Sequence, residues 1–333
     1  MERVSKGHSL ALMDSLVTIV VQGTIDSKKT NLCIHKLRIL LPKAEVVLSI
    51  WKGNRLYSFN YDKLLMTDDP GCSTSDDIAN TYNNINRQIV STQAGLEKAT
   101  RPYCLKIRTD ILLENVDFLK EFGRYDEMAP PLHVKNRILI CNYYTRNPRV
   151  YPLPFHPSDW VLFGRTEDLK RYFSAPCEST EEIRWFTTHP REQTGFYTNL
   201  LSRYVPEQYL CLNFLRQFEP VHCDCFYDAT EENIRQTERM LAGDFVVLDY
   251  QKQFGIRFTK YRPNRYLEKS SLVSHRYWKQ LFQEYCLHKT ELRPFRLFLC
   301  FLARIGFALR RVLLHLLHCL HIKEKVKRLL SRK

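Results

Sequence analysis

The sequence predicts an α/β protein: a mixed sheet flanked by helices, followed by a basic amphipathic helical tail. Three observations carry the α/β reading. Strand-like and helix-like runs alternate from residue 15 to residue 110, the pattern of a sheet joined by crossover helices. The first strand-like run, within 15–26, is apolar and β-branched, as in a strand covered on both faces. From Glu291 to Lys333 the chain changes character, with eleven Lys or Arg against two Glu, a net of +9.

"SLVTIVVQGTID" (15–26) reads as a buried parallel strand giving way to a loop at Gly23. "NLCIHKLRILLP" (31–42) sets Leu32, Leu37, Leu40 and Leu41 at helical intervals and is stopped by Pro42. "AEVVLSIW" (44–51) is a second strand, and "YDKLLMTDDPG" (61–71) a third that enters a turn. "YNNINRQIVSTQAGLEKA" (82–99) places Ile85, Ile89, Thr92, Leu96 and Ala99 on one helix face. It leads into "YCLKIRTDILL" (103–113), a strand whose Lys106, Arg108 and Asp110 share one face while Leu105, Ile107 and Thr109 take the other. An edge strand would carry the same alternation. Further on, "VKNRILICNYY" (134–144) and "DWVLFGR" (159–165) are strands separated by a loop rich in Pro and aromatics. "EDLKRYF" (167–173) starts a helix, and "PEQYLCLNFLRQF" (206–218) is a helix with Pro206 at its first position, where the missing N–H does no harm. "ENIRQTERMLAGDFVVLDY" (232–250) is a helix followed by a strand. Without an internal repeat or low-complexity linker, the simplest division is one domain over 15–285 and a tail over 291–333.

A chain of 333 residues with 44% hydrophobic content can bury a sizeable core. Its net charge of +14 lies mostly in the tail, leaving about +5 before it, which argues against nucleic acid as a partner. Eleven cysteines scattered without a repeating interval favour a reducing compartment. The start, "MERVSKGHSLALMDSLVTIVVQG", runs straight into the first strand and does not read as a signal peptide. Arg304, Arg310 and Arg311 interrupt the apolar stretches of the tail, leaving none near the roughly 20 residues that span a bilayer. The expectation is a cytoplasmic protein, soluble or peripheral.

"QGTIDSKKT" after the first strand has one glycine and fits neither phosphate-loop pattern, which disfavours nicotinamide enzymes and P-loop nucleotidases. GxSxG and HExxH are absent. "HCDC" (222–225) lacks the spacing and the second pair of a structural zinc site. What remains is a strand ending in "RTD", preceded by a helix opening with "NNINRQ". A carboxylate at the carboxyl end of a strand, with a divalent cation, can hold a substrate diphosphate, and nearby Arg and Lys can neutralise phosphate charge. One acid needs waters, phosphates and another residue to complete such a shell.

"VTIVVQG", "EVVLSIW", "NNINRQIVSTQAGLEKA" and "LKIRTD", followed by "SDWVLFG" and "PEQYL", resemble the WavE family associated with lipopolysaccharide and surface-polysaccharide synthesis, from about Val17 to about Lys260. That family is similar to glycosyltransferases of the GT-A fold, whose nucleotide-sugar site lies around an Asp-x-Asp motif. Arg108 stands where the first Asp would be, and Asp110 matches the second. The resemblance implies a glycosyltransferase, of hexosyltransferase type, moving a sugar from a nucleotide-sugar donor to a lipid-linked saccharide in lipopolysaccharide or capsular polysaccharide synthesis. Asp110 would hold Mn or Mg against the donor diphosphate, with Lys106 or Arg108 facing that charge or tying the carboxylate in place. Gln22, Gly23 and Thr24 end the first strand where the nucleotide is received. Asn86 and Arg87 would contact phosphate or nucleotide, and Trp51 would stack on the base unless it is a core residue. An inverting transfer needs a base ionised at neutral pH; Asp159 in "HPSDW" and Glu207 in "PEQY" are the candidates. The missing first Asp sustains a competing expectation, a non-catalytic nucleotide-sugar or carbohydrate-binding scaffold in a membrane synthesis complex.

In the tail, Arg304, Arg311, His315 and His318 fall along one helical stripe, while Leu302, Ile305, Leu309, Val312, Leu313, Leu316 and Leu320 crowd much of the rest. Such a helix commonly lies in the interface of an anionic membrane, here the cytoplasmic face of the inner membrane. Packing on the domain or pairing with a second copy are the alternatives.

Overall fold

The computed structural model describes residues 13–55, 57–76, 81–190, 200–259 and 271–319. Among these, seven strands form one sheet. In chain order they are β1 (Val17–Gln22), β2 (Glu45–Trp51), β3 (Lys63–Thr67), β6 (Tyr103–Arg108), β8 (Ile138–Cys141), β9 (Val161–Arg165) and β10 (Phe245–Leu248). Their spatial order is β10-β8-β9-β6-β1-β2-β3. All neighbours are parallel except β9, which runs against both β6 and β8. Two small antiparallel ribbons accompany the sheet: β4 (Ser73–Asp76) with β5 (Thr81–Asn83), and β7 (Ile111–Leu113) with β11 (Ile256–Phe258).

β1 is central, and all six of its residues are buried, which is why it reads as an unbroken apolar run rather than an alternation. The helix after β1, α1 (Ser27–Leu40), starts earlier than the leucine spacing suggests because Asp26 caps it, accepting from the N–H groups of Lys28 and Lys29 at 3.1 and 3.0 Å. Its polar first turn carries no apolar signal. α2 (Ile85–Glu97) crosses close over the sheet at Gly95, where a Cβ would overlap the Val20 side chain. Ser49 Oγ of β2 donates to the Ser91 carbonyl at 2.6 Å, tying that crossing down. α3 (Thr166–Tyr172), α4 (Thr180–Ile183) and α5 (Pro206–Leu215) follow, then α6 (Glu231–Asp244), capped by Thr230, and α7 (His275–Tyr285), capped by Ser274. The tail is helical over α8 (Arg293–Cys319). Residues from Leu320 onward lie outside the described residues, as do the side chains of Arg310, Arg311, His315 and His318.

The structure corrects the reading of 103–113 as one strand. β6 stops at Arg108 and the chain turns at Thr109–Asp110 into β7, which pairs with β11 rather than with the main sheet. The turn is held from both sides: Thr109 N–H donates to the Gln22 carbonyl at 3.0 Å, and Thr259 Oγ1 to the Asp110 carbonyl at 2.8 Å. Nor is β6 an edge strand, because it lies between β1 and β9. Its charged residues are therefore not a solvated face: Lys106 has no exposed surface at all.

Candidate functional site

The chain leaves β1 for β2 and β3 on one side, then returns through α2 to place β6 on the other side of β1. The connections after β1 and β6 thus diverge at the carboxyl ends of the two strands, the place where ligands bind in open α/β sheets. β9 is antiparallel, and its register sets Val161 against Ile107, so the residues just before it arrive at the same end. Gln22 to Thr24, Lys106 to Asp110 and Asp159, far apart in sequence, are gathered there. Glu207, in the first turn of α5, is brought within electrostatic reach of Asp159 and Arg108.

Two cations line this place. The Lys106 ammonium donates to the Asp159 backbone carbonyl and lies 5.3 Å from the centre of the Phe173 ring. Burial pushes its pKa down to about 8, against the pull of the Asp159 carboxylate. Arg108 closes back on Asp110 through two parallel bonds, Nε to Oδ1 at 3.0 Å and Nη2 to Oδ2 at 2.9 Å. Its guanidinium also sits 4.3 Å from the Trp160 ring centre, a cation–π contact that fixes its plane.

The acids are held differently. Asp159 is almost fully buried and accepts from the Gln88 side-chain amide on Oδ2. Burial, with the neighbouring Asp159 charge, pushes Glu207 well above the usual carboxylate range, so it keeps its proton at neutral pH. Its contact with His156, 3.5 Å from Oε2 to Nε2, is therefore not an ion pair. Burial and the nearby Arg146 push His156 down to about 3, so the ring is neutral. Nδ1 lies 2.8 Å from the Tyr144 carbonyl, which can only accept, so Nδ1 carries the proton and Nε2 offers a lone pair to Glu207. That lone pair favours the protonated carboxyl. The loop behind it is strained: Tyr144 and Phe155 have φ of 67° and 55°, in the left-handed region that bulky side chains rarely adopt.

Around this cluster, the other predicted residues have protein partners of their own. Gln22 accepts from Ser91 Oγ at 3.0 Å and is buried. Gly23, with φ of 127°, allows the strand to end where the Thr109 hydroxyl donates to the Thr24 carbonyl at 2.6 Å. Both ends of the Asn86 amide are engaged by the Glu178 backbone, at 3.0 and 2.7 Å. Arg87 grips Asp69 through two bonds at 2.7 and 2.6 Å and lies 5.3 Å from the Trp51 ring centre. Trp51 is half-buried beneath that guanidinium. Sequence reasoning passed over Trp160, Gln88 and His156, although "FHPSDW" and "NRQ" contain them; only the fold shows that they face Arg108, Asp159 and Glu207.

These residues fit a resident divalent cation poorly. Asp110 is a single carboxylate with both oxygens on Arg108, and no group of three or more His, Cys, Asp or Glu side chains among the described residues could hold a metal. The "HCDC" segment is no better, since Cys223 and Cys225 are buried and burial raises both thiols above their ordinary range.

Fold and site together define a mixed α/β protein with a mainly parallel sheet and a cluster of charged side chains at a topological switch point. The chain belongs to the WavE lipopolysaccharide synthesis family, whose profile matches residues 17–313. The family's name points to a part in making lipopolysaccharide. No curated protein matches the chain. Among the described residues, no helix is long and apolar enough to cross a membrane.

Proposed function

We propose that this protein is a GT-A-like glycosyltransferase that moves a sugar from a nucleotide-diphosphate donor to a lipid-linked saccharide acceptor in envelope polysaccharide synthesis. The observation that carries the reading is the meeting of two cations, Lys106 and Arg108, with two acids, Asp159 and Glu207, at the carboxyl ends of β1 and β6. The donor diphosphate lies against Arg108, with the buried Lys106 charge beneath it. A cation held by Asp110 would require Arg108 to leave that carboxylate, so the charge of the leaving diphosphate is assigned to the protein's own cations. Asp159, oriented by Gln88, takes the proton of the acceptor hydroxyl. Glu207 stays protonated and donates a hydrogen bond to the substrate or to His156.

The Arg108–Asp110 pair also supports a second reading, a nucleotide-sugar-binding scaffold without catalysis, because it leaves no free carboxylate pair for a metal. Melting temperatures across nucleoside diphosphates and nucleotide sugars, with and without Mn, together with donor turnover, separate the readings. Selective stabilisation by one donor family, with turnover lost in Asp159→Asn, supports the transferase. Stabilisation without turnover supports the scaffold, and a folded protein that responds to no donor refutes both.

A further inference from the structure

We propose that the outward face of α8 is a docking surface for an anionic lipid bilayer. The helix is fixed in rotation by its inward line. Arg296 is buried, with Nη1 2.6 Å from Glu238 Oε1 and Nη2 2.7 Å from Glu284 Oε2. Cys300 and Phe307 pack with Val150, and the Phe307 ring is 5.5 Å from that of Tyr151. Arg296 therefore belongs to the protein, not to a lipid. The opposite side carries ten large apolar side chains between Phe295 and Leu316, each 42–64% exposed. At about 100° per residue, Phe298, Leu302, Ile305, Leu309 and Leu313 lie within about 60° of one direction. Single exposed apolar residues need no explanation, but a continuous stripe some six turns long, at about 3.6 residues per turn, marks an interaction surface.

Charge selects the occupant. The chain has no Asp or Glu from residue 292 to 323, and residues 320–333 add six Lys or Arg against one Glu. Two copies of this helix would bring like charges together, whereas an anionic bilayer complements them. Lacking the apolar length to span, α8 would lie in the interface plane with its stripe among the acyl chains. The placement also suits the site at the carboxyl ends of β1 and β6. Val150 and Tyr151 belong to the loop that carries Tyr144, Arg146 and His156, and the Arg146 guanidinium lies 4.8 Å from the Tyr151 ring centre. A docked α8 holds that loop beside the bilayer; only this last point rests on the acceptor proposed above.

The test is sedimentation of the full chain with vesicles of pure phosphatidylcholine and of phosphatidylcholine mixed equally with phosphatidylglycerol, at low and high salt. The wild type binds the mixed vesicles on the order of tenfold more tightly, and salt weakens the difference. Leu302→Gln with Leu309→Gln, both exposed positions, abolishes binding at an unchanged melting temperature. Failure of the wild type to bind, or equal binding by the variant, overturns the proposal. So does a dimer in light scattering that the same two substitutions dissolve, which would give the face to a second copy. The donor-induced melting shift of the variant reports on the donor site separately, so a failure here is distinguishable from a failure there.

Discussion

Lys106→Met should make the protein more stable while weakening its hold on the donor. Lys106 is fully buried in a central strand, and its pKa falls from 10.5 to about 8. A drop of that size means that keeping the ammonium charged inside the fold costs roughly 3 kcal/mol at neutral pH, at about 1.4 kcal/mol per unit. Met fills nearly the same volume without the charge. It leaves the Asp159 carbonyl without its donor, a loss of about 1–2 kcal/mol, so the net gain is about 1–2 kcal/mol and a melting temperature higher by roughly 1–3 °C. The pH dependence comes from the lowered folded-state pKa. Between about 8 and 10.5 the unfolded chain binds more protons at this residue than the folded one, so wild-type stability rises with pH there and the gap to Lys106→Met closes. Urea denaturation of both proteins from pH 7 to pH 10.5, with nucleotide-sugar titrations at pH 7, measures each part. A variant several degrees less stable than wild type, or a gap that ignores pH, would show that the lysine holds the fold rather than serving a ligand.

Other substitutions separate fold from chemistry. Glu238 is buried and accepts from Arg149, Arg296, Tyr277 and Tyr285; Glu238→Gln should cost about 3–5 kcal/mol in urea denaturation by leaving two arginines undercompensated. Those partners lower its pKa, so this contribution is present above the unfolded value and fades as pH falls through the folded one, which melting curves on acidification can follow. In donor-turnover assays Asp159→Asn should lose on the order of 100-fold or more in rate, as for a missing base. Glu207→Gln, which mimics the protonated side chain, should lose far less and melt higher than wild type by a margin that opens between about pH 4.5 and 8, because a raised folded-state pKa withdraws stability as pH rises through that window. Gly23→Ala puts a Cβ 3.2 Å from the Thr109 hydroxyl at a φ of 127° and should cost about 1–3 kcal/mol in the same denaturation assay.

Most of the sheet was legible in the sequence because strands covered on both faces are largely apolar, and β1, β2 and β9 show it. The ribbons β4–β5 and β7–β11 were not, being short pairs that gain their shape from contacts distant in sequence. Alternation placed Lys106, Arg108 and Asp110 on one side of a strand, and local spacing flagged Asp159 and Glu207 as acids ahead of regular elements. It could not show that Arg108 closes on Asp110, that His156 presents a lone pair to Glu207, or that Gln88 holds Asp159, since each contact depends on how the folded sheet sets its segments against one another. The tail divides in the same way. Its apolar and basic pattern is fixed by residue order. Which arginine turns inward to Glu238 and which stripe faces out is decided by packing, because a helix with apolar residues around most of its circumference has no single inner face until a partner surface supplies the complementary charge.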